Sequence, residues 1–445
     1  MKKYISKIAL CAIAALALAF CFTACEDEPD KFELAGGKPT IHYIRPITAE
    51  AADSLLTSAY LGNSICVVGD NLRSVYKMMF NDQVATLNNS YITDHTILVD
   101  IPNEIPSEVS NKIYFYNKSG DVVEYDFNIL VPGPQISSMS CEYAAPGSVA
   151  TLYGDYFVDD PNVPLKLYFD NTEATIKSIS KGAITFIVPD SEEATIKVTN
   201  IYGEAKSVFH YKDSRGLMFD FDGVTGLGNH GWHDQVIEED ETSITGKFLR
   251  LGDPSVTLDE SAGWNDGNFS FEYWCGSWDT PQNITSGDGI ALYNLVDFTD
   301  YENMSVKFEL YIPSSNAWSS GAMQICFEGV DKVTLSGNPI DGYDTVAGAN
   351  AYAFNGEKND LGKWCRALYR PWLETGSYDT GNEWVTVTVP MSSFIYNKDG
   401  LPADLNYSSY KDFASLTIFV LGGGKDGTEC KPVIKIDNIR AIPNK

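Results

Sequence analysis

The segment YLGNSICVVGDNL at residues 60–72 recurs downstream as APGSVATLYGDYF at residues 145–157. Each copy holds two glycines seven positions apart with a mainly apolar run between them; these glycines are Gly62, Gly69, Gly147 and Gly154. A short apolar run bounded by glycines is typical of a β-strand between turns. The repetition therefore indicates two copies of one β-rich unit.

The sequence after each copy repeats in the same order. A phenylalanine is followed five positions later by an alanine, then by a β-type run that ends in proline, and finally by a turn from asparagine to glycine. The matched positions are Phe80 and Phe169, Ala85 and Ala174, Pro102 and Pro189, and the turns at residues 117–120 and 200–203. Each copy spans about 85–90 residues of short strands separated by turn residues, which predicts a β-sandwich.

The order of these features resembles the IPT/TIG family of immunoglobulin-like domains. The resemblance implies modules that act as spacers in bacterial surface proteins. Neither copy carries a cluster of aromatic residues suited to a surface or a catalytic constellation. We therefore expect two structural arms, at residues 39–132 and 133–213.

The composition changes beyond Arg215, and all eight tryptophans of the chain lie after this point. Runs such as FSFEYWC (269–275), VKFELYIP (306–313) and SLTIFVLGG (415–423) alternate with the period of a strand. Long loops separate them, which favours a larger two-sheet sandwich at residues 214–445. The chain is thus predicted to be all-β, with two tandem immunoglobulin-like sandwiches followed by a larger jelly-roll-like β-sandwich.

The first 24 residues are predicted to be a secretory signal. A basic start precedes the apolar run IALCAIAALALAFCF, which is shorter than a membrane span. The run ends in a segment that resembles a bacterial lipobox, with Cys25 as the lipidated residue. In the acidic tether at residues 25–38, Cys25 is followed directly by EDEPD, which resembles the export tag of Bacteroidetes surface lipoproteins. These features predict a lipoprotein on the outer face of the outer membrane.

The charge of the chain excludes several classes of partner. The formal net charge is −28, from 32 basic and 60 acidic residues. Removal of the signal, which holds three lysines, leaves 29 basic against 60 acidic residues and a charge of −31. Such an excess repels nucleic acids and anionic membrane surfaces. We expect a monomer that binds neither.

No metal or cofactor is predicted. The mature cysteines are scattered without a CxxC pair, so no disulfide pairing follows from the sequence. His230 and His233 form an HxxH pair without further ligands nearby. Calcium needs about six oxygens, and Asp220, Asp222 and Asp437 are too few to predict a site.

A lipobox, an acidic tag, two IPT/TIG-like domains and a tryptophan-rich β-sandwich together resemble the B-type surface glycan-binding proteins of Bacteroidetes polysaccharide-utilisation systems. The resemblance covers the whole chain. It implies a protein that binds a β-glucan, such as mixed-linkage glucan or xyloglucan, without cleaving it. It also implies transfer of the glycan to a SusC/SusD-like transport complex. The known xyloglucan binder of this family has more immunoglobulin-like modules than the two seen here, which leaves the glycan open.

Flat aromatic side chains stack on the C–H face of a sugar ring, while polar neighbours bond its hydroxyls. In FSFEYWC, Phe271 and Tyr273 share the core face and Trp274 shares the opposite face with Glu272. The candidate stacking residues are Trp278, Trp318 and Trp274, with a second wall of Trp364, Trp372 and Tyr369. Trp232 and Trp264, in polar loops, rank lower, and Trp384 at a strand start is expected to be structural.

Two other functions stay open at the level of sequence. A glycoside hydrolase needs two carboxylates roughly 5–10 Å apart, and the many acids of the chain allow such a pair. No GxSxG or HExxH motif occurs. A surface adhesin with a protein ligand is the third possibility.

Overall fold

The computed structural model describes residues 36–51, 53–223, 235–273, 290–328, 365–404 and 406–444. The chain forms two compact units, one that ends at Pro132 and one that begins at Gly133. The strands in both units confirm the predicted all-β architecture. No helix within the described ranges is long and apolar enough to cross a membrane.

The first unit is an immunoglobulin-like sandwich. Its two main sheets have the strand orders β1-β3-β6 and β5-β4-β7-β8, and a parallel pair joins β2 to β9. The strands are β1 (Thr40–Pro46), β2 (Ser58–Tyr60), β3 (Ser64–Asp70), β4 (Val75–Phe80), β5 (Gln83–Val84), β6 (Thr96–Asp100), β7 (Lys112–Asn117), β8 (Val122–Asp126) and β9 (Asn128–Leu130). Alternating residues of β6 and β7 point into its core, including Ile97, Ile113 and Phe115.

The second unit begins with the other immunoglobulin-like domain. Its sheets have the orders β10-β11-β15-β14 and β13-β12-β16-β17. The strands are β10 (Gln135–Met139), β11 (Val149–Asp155), β12 (Lys166–Phe169), β13 (Thr172–Glu173), β14 (Thr175–Ser180), β15 (Ala183–Ile187), β16 (Ala194–Asn200) and β17 (Gly203–Tyr211). Phe169 packs edge-on against Tyr211 in the core of this domain.

The repeated glycines have a structural cause in both domains. The strand pairs β1–β3 and β10–β11 carry a bulge at the same place, between Ile41 and Tyr43 and between Ile136 and Ser138. At the bulge a carbonyl oxygen of the neighbouring strand lies 2.0 Å from where a Cβ of Gly69 would stand, and 1.9 Å in the case of Gly154. Real Cβ atoms do not approach that closely, so the position requires glycine.

The rest of the second unit is a two-sheet sandwich. One sheet has the order β19-β20-β27-β22-β25, with β18 also paired to β27, and the other has the order β21-β26-β23-β24. The elements are β18 (Leu217–Phe219), β19 (Ile237–Glu238), β20 (Phe248–Gly252), α1 (Asp266–Phe269), β21 (Ser270–Tyr273), β22 (Met304–Tyr311), β23 (Ala322–Glu328), β24 (Ala367–Tyr369), β25 (Val385–Pro390), β26 (Ser415–Leu421) and β27 (Val433–Pro443). The strand pairs in both sheets are antiparallel.

The core between these sheets follows the predicted alternation. Phe271 and Tyr273 are buried in it, as expected for one face of β21, and Ser270 and Glu272 lie on the other face. Phe219 packs edge-on against both aromatic rings, with centroids 5.1 and 5.0 Å away. Aromatic pairs in this geometry contribute roughly 0.5–1.5 kcal/mol beyond their area.

The central strand β27 contains a bulge at Asn438, whose φ is 51°. Asparagine tolerates this left-handed conformation better than most residues. The register against β22 shifts here, so that Ile436 before the bulge and Ile439 after it both reach the core. Asp437 and Arg440 consequently lie on the outer face of the sheet.

The outer face of this first sheet is closed by the preceding immunoglobulin-like domain. Arg440 pairs with Glu309 of β22 and with Glu142 of that domain, each at 2.7 Å, and Lys307 also contacts Glu142. All four side chains are nearly or fully buried. Burial alone would lower the pKa of Arg440, but the two carboxylates outweigh it and raise that pKa; burial raises the pKa of Glu309. We call Lys307, Glu309, Thr386 and Arg440 the sealed face.

Asp437 lies on the same side of the sheet without a cationic partner in the described residues. Its carboxylate accepts a hydrogen bond from Thr245 Oγ1 at 2.9 Å and from the backbone N–H of Asn438 at 2.7 Å. Burial raises the pKa of Asp437 to about 8 despite these bonds, and the negative charge of Asp222 adds to the rise. The carboxylate of Asp220 caps the backbone N–H groups of Asp222 and Gly223.

Candidate functional site

The second sheet of the sandwich has a polar outer face. Leu416, Ile418 and Val420 of β26 enter the core, so Thr417 and Phe419 point the other way. Glu272 of β21 lies beside Thr417, and Gln324 of β23 lies beside Phe419 in the strand register. We call the outward-facing set the polar face; it consists of Ser270, Glu272, Gln324, Arg366, Thr417 and Phe419.

Arg366 and Gln324 order one end of the polar face. Arg366 donates to Gln324 Oε1 at 3.1 Å, and its guanidinium lies 6.0 Å from the centre of the Phe419 ring. Gln324 Nε2 in turn donates to the backbone carbonyls of Lys398 and Leu421. Because both side chains are fully buried and fixed by these contacts, their positions are set before any ligand binds.

Thr417 lies in the middle of the polar face, and its hydroxyl is unsatisfied. The side chain is fully buried, and its Oγ1 has no hydrogen-bond partner among the described residues. A buried hydroxyl without a partner costs roughly 1–3 kcal/mol. An unsatisfied polar group in a native structure calls for an explanation, and the described residues around Thr417 supply none.

Trp264 is the exposed aromatic side chain at the edge of this face. It precedes α1 and keeps 51% of its surface exposed. Its ring centre lies 6.2 Å from that of Phe419, with 58° between the planes. Trp264, Asn265 and Phe419 line a shallow recess at this edge. A half-exposed tryptophan beside fixed polar groups offers a flat apolar surface with hydrogen-bonding neighbours.

Trp318, a predicted stacking residue, and Trp372, a member of the predicted second wall, both lie in the core, which disagrees with a surface role for either. Trp318 is fully buried, donates to the Ser320 carbonyl and forms a backbone bridge with Tyr378. Trp372 is 4% exposed and donates to the Gly321 carbonyl at 2.8 Å. The polar loop around Trp318 folds inward and satisfies the indole N–H on its own backbone.

Tyr369 also packs inward. Its ring lies 6.2 Å from Trp318 and 6.4 Å from Phe308 in the core, and burial raises its pKa. Tyr369 and Trp372 of this loop therefore both face the core, and the second predicted wall loses both of them. Trp384 donates to the Thr242 carbonyl at 2.6 Å, in keeping with a structural role.

Several predicted residues lie outside the described ranges. Trp274, Trp278 and Trp364 are among them and stay predictions as stacking residues. Trp232, His230 and His233 also fall there, as does Cys275. Cys66, Cys141, Cys365 and Cys430, which the structure describes, are free cysteines.

Sequence reasoning missed most of the polar face. Trp264 ranked low because its neighbours are polar, although this is what a surface tryptophan requires. The alternation in SLTIFVL does place Thr417 opposite Leu416 and Ile418, which was a usable signal. Arg366 gave no such signal, because its partner Gln324 lies 42 positions away in the chain.

A possible metal site in the described part of the chain is a group of Glu193, His210 and Asp213, whose ligand atoms lie within 4.8 Å. Arg215 donates to both oxygens of Asp213, at 2.8 and 2.7 Å. Burial alone would raise the pKa of Asp213, but Arg215 holds it below the ordinary value. The group is an ion-pair cluster whose buried carboxylate is already satisfied.

Two immunoglobulin-like domains followed by a sandwich with an aromatic and polar outer face define a modular β-sandwich binding protein. Residues 211–443 match the profile described as the surface glycan-binding protein B xyloglucan binding domain, and residues 134–212 match the IPT/TIG domain. The first match covers more than half of the chain. The chain belongs to the surface glycan-binding protein B family.

The chain is similar to two solved structures. The chain is 44% identical to surface glycan-binding protein PbSGBP-B from Prevotella bryantii, with a TM-score of 0.77 over 93% of this chain and 100% of that one. An SGBP-B from a complex xyloglucan utilization locus in Bacteroides uniformis is 14% identical, with a TM-score of 0.42 over 92% of this chain and 100% of that one.

A curated relative shares part of the chain. It is an IPT/TIG domain-containing protein of Bacteroides ovatus, 34% identical over 127 residues. The match covers 27% of this chain, and the chain spans about a quarter of the relative's length (26%).

Proposed function

We propose that this protein is a non-catalytic, cell-surface glycan-binding protein that holds an uncharged β-glucan, of the xyloglucan or mixed-linkage type, on its C-terminal sandwich. The observation that carries the proposal is the half-exposed Trp264 at the edge of a face of fixed polar side chains. Trp274, Trp278 and Trp364 complete the proposed aromatic surface.

The chemistry of the polar face suits a sugar chain. A tryptophan ring stacks on the C–H face of a pyranose, and hydroxyls at the ring edge bond to polar side chains. The half-exposed Trp264 supplies the ring, and the acidic chain disfavours an anionic polysaccharide.

The family assignment supports the choice of glycan. The profile that matches residues 211–443 is described as a xyloglucan binding domain, and this range holds Trp264 and the whole polar face. The two preceding immunoglobulin-like domains are spacers in the proposal, and the protein acts as a monomer.

We further infer that Cys25 carries the lipid anchor and that residues 25–38 form an acidic tether at the outer surface of the outer membrane. A protein held there captures polysaccharide for a SusC/SusD-like uptake complex. Anchoring by more than one acyl chain gives stable membrane attachment, whereas a single chain is marginal.

Affinity gel electrophoresis and isothermal titration calorimetry against xyloglucan and mixed-linkage glucan test the proposal. Trp264→Ala is expected to weaken binding by roughly five- to tenfold, as the loss of about 1 kcal/mol of stacking predicts. Trp278→Ala is expected to act in the same direction. Tyr153→Ala, which removes a 44% exposed ring from the preceding domain, is the control and should leave the affinity unchanged.

The same assay separates the alternatives. Release of reducing sugar from a retarded glycan would favour the glycoside hydrolase. No retardation by any polysaccharide in the panel would favour the adhesin with a protein ligand.

A further inference from the structure

The first immunoglobulin-like domain has a groove along one of its strands. The groove has a volume of about 750 Å³ and lies along β6, with residues of the loop after β5 on its other side. Ligand pockets commonly measure roughly 300–1,000 Å³. The groove is therefore large enough for a ligand.

The two repeats differ where the groove lies. In the second domain β14 pairs with β15 over five residue positions, from Thr175↔Ile187 to Ser180↔Ala183. In the first domain β6 takes the place of β15, and the sheet ends at β6, which pairs with β3. The isolated bridge Ile92↔Ile97 lies where a strand equivalent to β14 would begin. The edge of β6 beyond that bridge is uncovered among the described residues.

The local sequence explains the difference. The second domain has the alternating run TIKSIS at this point, whereas the first has TLNNSYIT. Asn88 accepts a hydrogen bond from the backbone N–H of Ser90 at 3.0 Å and so caps a single helical turn at Asn89–Tyr91. Asparagine and serine favour such caps over strands. Seventeen positions separate Ala85 from Pro102, against fifteen between Ala174 and Pro189, which gives the loop room to move away from β6.

Exposed apolar side chains form the floor of the groove. Ile47 is 48% exposed, Val84 56%, Tyr91 56% and Leu98 37%. Single exposed apolar side chains are common on protein surfaces, whereas a cluster of them often marks an interaction site. Tyr91 contributes a flat ring with a hydroxyl at its edge, the kind of group that stacks on a sugar.

Uncharged and acidic polar groups form the walls. Asn88, Asp100, Asn103 and Glu104 lie there, with hydroxyls of serine and threonine between them, and none of the described lining residues is lysine or arginine. One oxygen of Asp100 already accepts a hydrogen bond from Ser64. A ligand for these walls needs many hydroxyl groups and no negative charge.

We propose that this groove is a second carbohydrate-binding site, which takes a short stretch of an uncharged oligosaccharide on Tyr91. The apolar floor accepts the C–H faces of the sugars, and the amide and carboxylate walls accept and donate hydrogen bonds to their hydroxyls. An extended peptide added to the edge of β6 is the competing occupant. The oligosaccharide fits better because the floor contains an exposed aromatic ring and the walls are rich in groups that bond hydroxyls.

Hydrogen–deuterium exchange of the full chain tests the site. The probes are xylogluco-, cello-, mixed-linkage gluco-, xylo- and manno-oligosaccharides at millimolar concentration, and an extended peptide of alternating valine and threonine. At about twice the Kd, an oligosaccharide is expected to slow exchange of the strand and loop amides at residues 86–104 by roughly threefold. Tyr91→Ala should abolish this protection. Tyr76→Ala, which removes another half-exposed tyrosine of the same domain, should retain it.

The same experiment also measures amide exchange in β26 of the C-terminal sandwich. Protection of residues 86–104 without protection of β26 would sustain this site and contradict the proposed function of the sandwich. The inference is overturned if residues 86–104 stay unprotected by every oligosaccharide, or if their protection survives Tyr91→Ala. Protection of residues 86–104 by the peptide, with no protection by any oligosaccharide, would likewise overturn the inference.

Discussion

The two outer faces of the C-terminal sandwich carry similar polar residues, but the surroundings of these residues differ. On the sealed face, Arg440 and Lys307 are matched by Glu309 and Glu142, and a neighbouring domain covers the whole set. On the polar face, a threonine hydroxyl is left without a partner in the described structure and a tryptophan stays half exposed at the edge. Polar residues that alternate with core residues therefore do not by themselves indicate a binding site. The half-exposed tryptophan at the edge is what distinguishes the polar face.

The largest loss of stability is expected when the carboxylate that pairs with the sealed face is removed. Glu142→Ala removes the carboxylate that faces both Arg440 and Lys307, and leaves buried charge uncompensated. Such losses cost about 3–5 kcal/mol. Chemical denaturation should show this loss for the second unit, while glycan affinity of the folded variant stays unchanged. Glu204→Ala, at an exposed site of the same domain, is the control, and an equal effect of both variants would contradict the account.

Trp318→Ala should be nearly as destabilising, because the side chain is fully buried and lies between the two faces. Truncation of a buried tryptophan costs about 3–5 kcal/mol. Thermal unfolding measures the loss, with Trp264→Ala as the control at an exposed site. A stable Trp318→Ala protein with weakened glycan binding would restore the original prediction that Trp318 is a stacking residue.

Asp437 makes the stability of the sealed face depend on pH. Its pKa rises from 3.8 to about 8 in the folded state, mainly through burial. The folded protein thus keeps a proton that the unfolded chain loses above pH 3.8. This contribution to stability is complete below that pH and is lost as the pH rises toward 8.

Asp437→Asn should remove this slope and raise the free energy of unfolding near pH 8 by on the order of a few kcal/mol. Urea denaturation at a series of pH values, in buffer with EDTA, measures the slope. Asp426→Asn, at an exposed position, should leave the slope in place. A variant of Asp437 that keeps the full slope would show that another group is responsible.

The smallest change in stability is expected from replacing a threonine with valine on each of the two faces. Thr417→Val deletes a buried hydroxyl that has no partner in the described residues, so it should stabilise the protein by about 1 kcal/mol. On the sealed face, Thr386 donates to Glu309 at 2.9 Å and accepts from the N–H of Glu142 at 2.7 Å.

Thr386→Val should therefore lower stability and leave binding unchanged. Calorimetry and thermal unfolding on both variants test the contrast. The comparison of the two faces fails if Thr417→Val destabilises the protein as much as Thr386→Val does.

Much of the architecture was predictable because it depends on local pattern. The repeated glycines marked the two immunoglobulin-like domains, and alternation in FSFEYWC correctly placed Phe271 and Tyr273 in the core. The surface was harder. Whether Trp318 points outward depends on Tyr378, which forms a bridge to it from 60 positions further along the chain. The partner of Arg440 in the other domain, Glu142, lies 298 positions away. Pairing over such distances leaves no signal in a local run.

The position of β27 has a consequence for how the chain folds. This strand lies between β20 and β22 and also pairs with β18, so that Leu217 meets Arg440 across more than 220 positions. Its Ile442 belongs to the core of the preceding immunoglobulin-like domain. Contacts at such sequence distance slow folding, because the loop must close before it gains any contact. During synthesis, the first unit has all its strands long before the ribosome reaches β27, whereas the sandwich and its domain junction wait for that strand.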